Sequence, residues 1–156
     1  MKSTILALFL ASSTALYAAD AAPFKIFTKK GDVTLEQLAG KVVYLDFWAS
    51  WCEPCKKSFP WMNDLHAQFA DSGLVVIAVN LDRDAEKADK FLEKIPANFQ
   101  IGFDPEGTLA KTYEVKGMPS SYIIDRHGQL VASHIGFREK DRGDIQTEIE
   151  TALHSK

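Results

Sequence analysis

Apolar and polar positions alternate over residues 24–28, the period of a half-buried strand, here at the edge of a sheet, and Lys30-Gly31-Asp32 then supplies turn chemistry. A short helical turn is expected over 34–38. From 42 to 48 the pattern becomes a continuous apolar run of β-branched and aromatic side chains, broken only by Asp46. The run is too short for a buried helix and predicts a central strand covered on both faces. The period changes again over 53–70, where Phe59, Met62, Leu65 and Phe69 recur at helical spacing and Pro60 is placed to kink the helix after its first turns. A second apolar run at 74–79 predicts another buried strand. Residues 84–95 predict a helix with Ala88, Phe91, Leu92 and Ile95 on its buried stripe. Strand, helix, strand, helix is the rhythm of a parallel α/β layer. An extended piece at 100–103, a turn at Asp104-Pro105-Glu106-Gly107 and a short helix to Tyr113 follow. Strands at 120–125 and 129–134, joined by Arg126-His127-Gly128, read as an antiparallel hairpin. A last helix at 141–153 places Ile145, Ile149 and Leu153 on one face.

The 156 residues are 46% hydrophobic and 25% charged, which suits one compact domain, and no repeat or linker divides them. A net charge of −3 without any basic run gives no footprint for nucleic acid or a membrane surface. The first residues stand apart. Met1-Lys2, an apolar run from Ile5 to Leu10 and small residues up to Ala19 have the make-up of a secretory signal peptide. Residues 1–19 form this leader, with cuts after Ala18, Ala19 or Ala21 all compatible, and residues 22–156 the mature domain. An uncleaved membrane anchor is the alternative, although the apolar stretch is shorter than the ~20 residues of a full span.

Export gives the two cysteines, Cys52 and Cys55, an oxidising setting. A structural disulfide stabilises most when it closes a long loop, and this pair would close a very small one. Zinc would want about four ligands, yet His66, His127, His134 and His154 are scattered; haem attachment would want His where Lys56 stands. No metal or other cofactor is expected, and redox chemistry of the pair itself is what remains. The pair lies where a buried strand gives way to a helix, and a helix N-terminus stabilises a thiolate. Cys52 is therefore the expected nucleophile, and Cys55, one turn further in, the resolving thiol. Pro54 costs no hydrogen bond in a first turn and fixes the relation of the two sulfurs. Glu53 adds negative charge beside them, which opposes thiolate formation and favours a reducing couple.

The run from Asp46 to Lys56, Asp-Phe-Trp-Ala-Ser-Trp-Cys-Glu-Pro-Cys-Lys, resembles the active-site segment of thioredoxins, with Glu53 where thioredoxin has Gly. Together with the leader and the segment Gly117-Met118-Pro119-Ser120-Ser121-Tyr122-Ile123-Ile124-Asp125, it is similar to the TlpA/ResA branch of exported thiol–disulfide reductases. The similarity runs from about Pro23 onward. It implies a thioredoxin fold: a central mixed β-sheet flanked by helices, with an N-terminal extension and a central strand–helix insertion carried by residues 84–103. It also implies a cis Met118-Pro119 bond in a loop against the cysteines, where Met118 and Pro119 would hold an extended substrate segment alongside Trp51. Asp46, matching a buried thioredoxin Asp, would serve Cys55 as acid and base. The branch more often carries a Glu after the following strand, and the corresponding stretch here, Asn80-Leu81-Asp82-Arg83-Asp84, lacks it; Asp82 or Asp84 would replace it or, more simply, cap the next helix. Phe47 and Trp48 are expected in the core, Trp61 near the active site, and the four histidines at the solvated surface.

The function so implied is a periplasmic reductase of disulfides in exported proteins, with cytochrome c maturation one destination. It would act as a monomer supplied by a membrane thiol donor of the DsbD/CcdA kind. A net disulfide oxidase and a thioredoxin-fold binding module or chaperone are the competing readings, and a peroxidase is weaker because no Thr or Arg pocket is apparent around Cys52.

Overall fold

In the computed structural model, which describes residues 19–155, the strands are β1 (Ala19–Asp20), β2 (Lys25–Thr28), β3 (Val33–Thr34), β4 (Val42–Trp48), β5 (Leu74–Asn80), β6 (Gln100–Phe103), β7 (Ser120–Ile124) and β8 (Gln129–Ile135). The helices are α1 (Glu53–Phe69), α2 (Ala85–Lys94), α3 (Thr108–Thr112) and α4 (Arg142–His154). Nearly all of the leader expected at 1–19 lies outside the described residues.

The two apolar runs form the middle of a mixed sheet ordered β1-β8-β7-β4-β5-β6-β2-β3. β4 runs parallel to β5 from Val42↔Leu74 to Trp48↔Asn80 and antiparallel to β7 from Val43↔Ile124 to Phe47↔Ser120. All seven of its residues are buried, as a strand with helices or loops on both faces must be. Alternation divides the core in two. Val42, Tyr44 and Trp48 point to the side where α1, α2 and α4 deliver Phe59, Met62, Leu65, Phe91, Ile145 and Ile149. Val43, Leu45 and Phe47 point to the other, against Phe24, Ile26, Ala110 and Tyr113 from the N-terminal extension and α3. Burying side chains of this size contributes about 1.5–3 kcal/mol each, so the two-sided cover of β4 is a large part of what holds the sheet together.

Several expectations change in detail. The strand expected at 24–28 is not at an edge: β2 pairs with β6 on one side and β3 on the other. Its approach to β6 depends on Gly102, because the Ile26 side chain occupies the place a Cβ there would take. The turn expected over 34–38 shrinks to a 3₁₀ turn at Glu36–Leu38, since Val33–Thr34 are taken up by pairing with β2. α1 runs from Glu53 to Phe69 without interruption through Pro60, which sits on the exposed face where water can take the carbonyl it leaves without an amide partner. Trp61 is buried in the core rather than offered near the cysteines, edge-on to Tyr44 and tilted against Phe137.

Arg126, in the β7–β8 turn, reaches back across the base of the sheet. Its guanidinium donates to the carbonyls of Gly40 (2.8 Å), Ser72 (2.9 Å) and Leu153 (3.0 Å), joining the approach to β4, the turn after α1 and the end of α4. Hydrogen bonds from a charged donor are worth more than neutral ones, so Arg126→Ala is expected to lower unfolding free energy by about 2–3 kcal/mol in urea melts of the oxidised protein. Arg126→Lys should recover only part of it, because an ammonium cannot span three divergent carbonyls as the planar fork does.

Candidate active site

The chain leaves the buried end of β4 at Trp48, turns, and enters α1 at Glu53. The Cys52 N–H closes the turn onto the Ala49 carbonyl at 3.0 Å. Cys52 then serves as the cap of α1: its extended backbone ends the turn, and its Sγ accepts the Cys55 N–H at 3.3 Å. A sulfur takes the place usually filled by a Ser or Asp oxygen, at the end of the helix where N–H groups lack intrahelical partners and the dipole is positive. Cys52 and Cys55 form a disulfide. Cys52 is 3% exposed and Cys55 fully buried, while Trp51 beside them is 71% exposed, a large aromatic face left in water. Pro54 lies in the first turn, where its missing N–H costs nothing. Glu53 is bound by Lys56 at 2.6 Å, and that hydrogen bond and charge hold its carboxyl below its ordinary value. The negative charge beside the sulfurs is thus matched by a positive one, so the pair exerts less field on Cys52 than Glu53 alone would.

Asp46 lies in the middle of β4, on the face it shares with Tyr44 and Trp48 by alternation, the side on which Cys52 and Cys55 are packed. It is buried, its Oδ2 has no hydrogen-bond partner, and burial pushes its carboxyl well above the ordinary value of 3.8. Its cross-strand neighbours extend the polar row: Asp46 stands opposite Ser121 on β7, and Ser121 opposite His134 on β8. His134 Nε2 is 2.6 Å from Glu148 Oε2 on α4. His134 is therefore a half-buried, partnered residue, not a solvated one, and His66 likewise places its Nδ1 in the interior.

The rest of the frame comes from neighbouring strand ends. Because β5 is parallel to β4, its end brings Asn80 and Asp82 beside the cysteine turn. The Asp82 carboxylate accepts the Ser50 N–H (2.8 Å), the Ser50 hydroxyl (3.0 Å) and the Asn80 amide (2.8 Å). Asp84 caps α2 through the Glu86 N–H, as a polar residue before a helix would. Because β7 is antiparallel to β4, the segment before Ser120 reaches the same end of the sheet, and its Met118-Pro119 bond is cis. Among the described residues no cluster of three or more His, Cys, Asp or Glu side chains is arranged to hold a metal ion, and no helix is long and apolar enough to cross a membrane.

With this geometry in place, comparison with known proteins is decisive for the family: residues 18–133 match the model of the AhpC/TSA family. The chain belongs to that family. Among its relatives are the thiol–disulfide oxidoreductase ResA of Bacillus cereus, 33% identical over 110 residues (70% of this chain, 64% of the relative), and that of Geobacillus kaustophilus, 30% identical over 150 residues (95% and 85%). This chain thus spans a little under two thirds of the Bacillus relative's length. A crystal structure from Chlorobium tepidum, described as a thiol:disulfide interchange protein DsbE, is 47% identical and superposes with a TM-score of 0.84 over 87% of this chain and 96% of that one. The fold of this AhpC/TSA member is the thioredoxin fold.

Of the residues singled out from sequence, the structure gathers Trp51, Cys52, Glu53, Pro54 and Cys55 at one helix start, puts Asp46 in the sheet on their side and brings Met118-Pro119 to the same end. Asp82, expected to replace the family Glu or cap the next helix, instead binds Ser50 and Asn80, two residues the sequence did not mark, and the pairing of His134 with Glu148 is likewise one no local pattern marks. Asp46 has a measurable signature. Since its folded carboxyl titrates above the unfolded one, the native state keeps a proton that the unfolded chain has lost. Its stability is whole below about pH 3.8 and falls as pH rises towards the folded value. Asp46→Asn should therefore match the wild type near pH 4 and gain on it as pH rises until Asp46 ionises in the folded protein, with a gap growing by up to about 1.4 kcal/mol per pH unit. Parallel pH profiles of the two proteins in urea melts would contradict this.

Proposed function

We propose that this chain is an extracytoplasmic thiol–disulfide oxidoreductase that reduces disulfides in exported proteins. The observation that carries the reading is Cys52 at the cap of α1 with its sulfur accepting the Cys55 N–H, a site where a thiolate is stabilised. In the reduced enzyme the Cys52 thiolate attacks one sulfur of a client disulfide, forming a mixed disulfide and releasing the client's other sulfur as a thiolate. In the fraction of molecules in which its raised carboxyl is ionised, Asp46 takes the Cys55 proton; the Cys55 thiolate attacks Cys52 Sγ, freeing the second client sulfur. Two electrons pass to the client, the released thiolates take up protons, and the Cys52–Cys55 disulfide remains for a membrane dithiol donor of the DsbD/CcdA kind to reduce. Trp51 and the backbone at Met118-Pro119 would receive the client as an extended segment. No cofactor beyond the disulfide is needed.

Export rests on the apolar leader. Ala21 is buried, and its N–H donates to the Gly128 carbonyl at 2.8 Å, while Ala19–Asp20 pair with Gln129–Leu130. These contacts favour a cut after Ala18 or Ala19 over one after Ala21, which would remove β1. A mature protein of this kind would act as a monomer, with cytochrome c maturation among its destinations. Net disulfide formation is the second reading. The Glu53–Lys56 pair favours it, because it removes part of the charge that would oppose the thiolate.

Cys52→Ser is expected to abolish insulin reduction, and Cys55→Ser to accumulate client as mixed disulfide in the exported fraction. Full activity of Cys52→Ser would overturn the mechanism. A potential near the ~−120 mV of strong oxidants would turn the direction to oxidation.

A further inference from the structure

Beside the cysteine turn, between α1 and α2, runs a groove of about 410 Å³ walled by Lys56, Lys87, Lys90 and Lys94, with Phe91 and Ile95 beneath. Its charge runs against that of the whole chain, in which 21 acidic residues outnumber 18 basic ones. Lys87, Lys90 and Lys94 recur at helical spacing on one side of α2, so the sequence itself builds a basic stripe there. Carboxylates answer part of it: Glu53 binds Lys56 at 2.6 Å, and Glu86 lies 3.9 Å from Lys90. Lys87 and Lys94 have no ion-pair partner among the described residues. Asp82, which binds Ser50 of the groove lining, is buried and turned to Ser50 and Asn80.

The floor is fixed as firmly as the walls are mobile in kind. Phe91 is buried against Trp48 and Phe59, with ring centroids 4.7 and 4.9 Å away, so α2 is pinned to the helix that begins at the cysteines. Ser50, two residues before Cys52, and Lys56, next after Cys55, line the groove at the end nearest the cysteine turn. Lys87 to Lys94 span roughly 10 Å along the helix axis, about the length of three residues of extended chain.

We propose that this groove selects clients by binding an acidic polypeptide segment that flanks the cysteine under attack. The inference rests on the dithiol-exchange reading above and names the class of client it would serve. The lysine heads meet the carboxylates, and the aliphatic stems with Phe91 and Ile95 take the apolar parts of the segment. Such a surface gives specificity and a faster encounter more than raw affinity, and its effect fades with salt.

The test uses two disulfide-linked peptides identical except for Glu or Lys at the three positions beside the cysteine. For the wild type at low ionic strength, kcat/KM for the Glu peptide should exceed that for the Lys peptide by about tenfold, a ratio that collapses in 0.5 M salt. Lys87→Glu/Lys94→Glu should reverse the ratio and Lys87→Gln/Lys94→Gln bring it near one, each ratio being internal to one protein preparation. Equal rates for the two peptides, or a preference that survives both double variants, would overturn the proposal. A cysteine-free version of the Glu peptide, titrated into the oxidised protein by NMR, should shift the amides of α2, independently of any turnover; shifts confined to other elements would also overturn it. Reduction of 2-hydroxyethyl disulfide by the wild type reports separately on dithiol exchange.

Discussion

The register of β4 between β5 and β7 decides where everything else in this molecule can stand. A strand with one parallel and one antiparallel neighbour collects, at one end, the exit of the parallel strand and the entry of the antiparallel one. Here those are Asn80-Leu81-Asp82 and Met118-Pro119, and the residues leaving β4 itself are the cysteine turn. A slip of one residue would exchange the two faces of β4 and carry Asp46 away from the side of α1 on which the disulfide lies. The seven-residue pairing with β5, buried on both faces, is what makes such a slip expensive.

That burial also accounts for how much could be read without coordinates. The strands at 42–48 and 74–79 and the cores of α1, α2 and α4 were legible because a continuous apolar run or a helical stripe is itself the cause of the element. The cysteine pair was legible because its chemistry is local: a cap, a turn and a helix start within a few residues. What escaped depends on separation in the chain. Val33–Thr34 carries no strand signal of its own and is drawn into the sheet by β2. The hydrogen bonds from Asp82 to Ser50 cross 32 residues, and the approach of His134 to Glu148 depends on how α4 crosses the sheet. Trp61 was misplaced for the same reason, since its position in sequence near Cys55 says nothing of which side of α1 faces the core.

The arrangement at the cysteines balances opposed requirements. A reactive disulfide has to be accessible enough to be attacked and dry enough that helix and strand groups, rather than water, set its chemistry. The structure divides these tasks among neighbours: Trp51 is in solvent, Cys52 at the boundary and Cys55 within the core. Asp46 extends the gradient inward. Burial raises its carboxyl well above the ordinary value, so a charge is disfavoured at that depth. The Glu53–Lys56 pair on the outer side does the opposite, keeping two charges in water where they cancel.

The sheet's two margins, among the described residues, are β1 and β3, each only two residues long. A long open margin offers any unpaired strand a backbone ladder to join. β1 covers only Gln129 and Leu130 of β8, so residues 131–135 keep an outer edge that no other described strand pairs. That edge, with Val131 and Ile135 exposed along it, is where a further extended strand would find a backbone ladder to join.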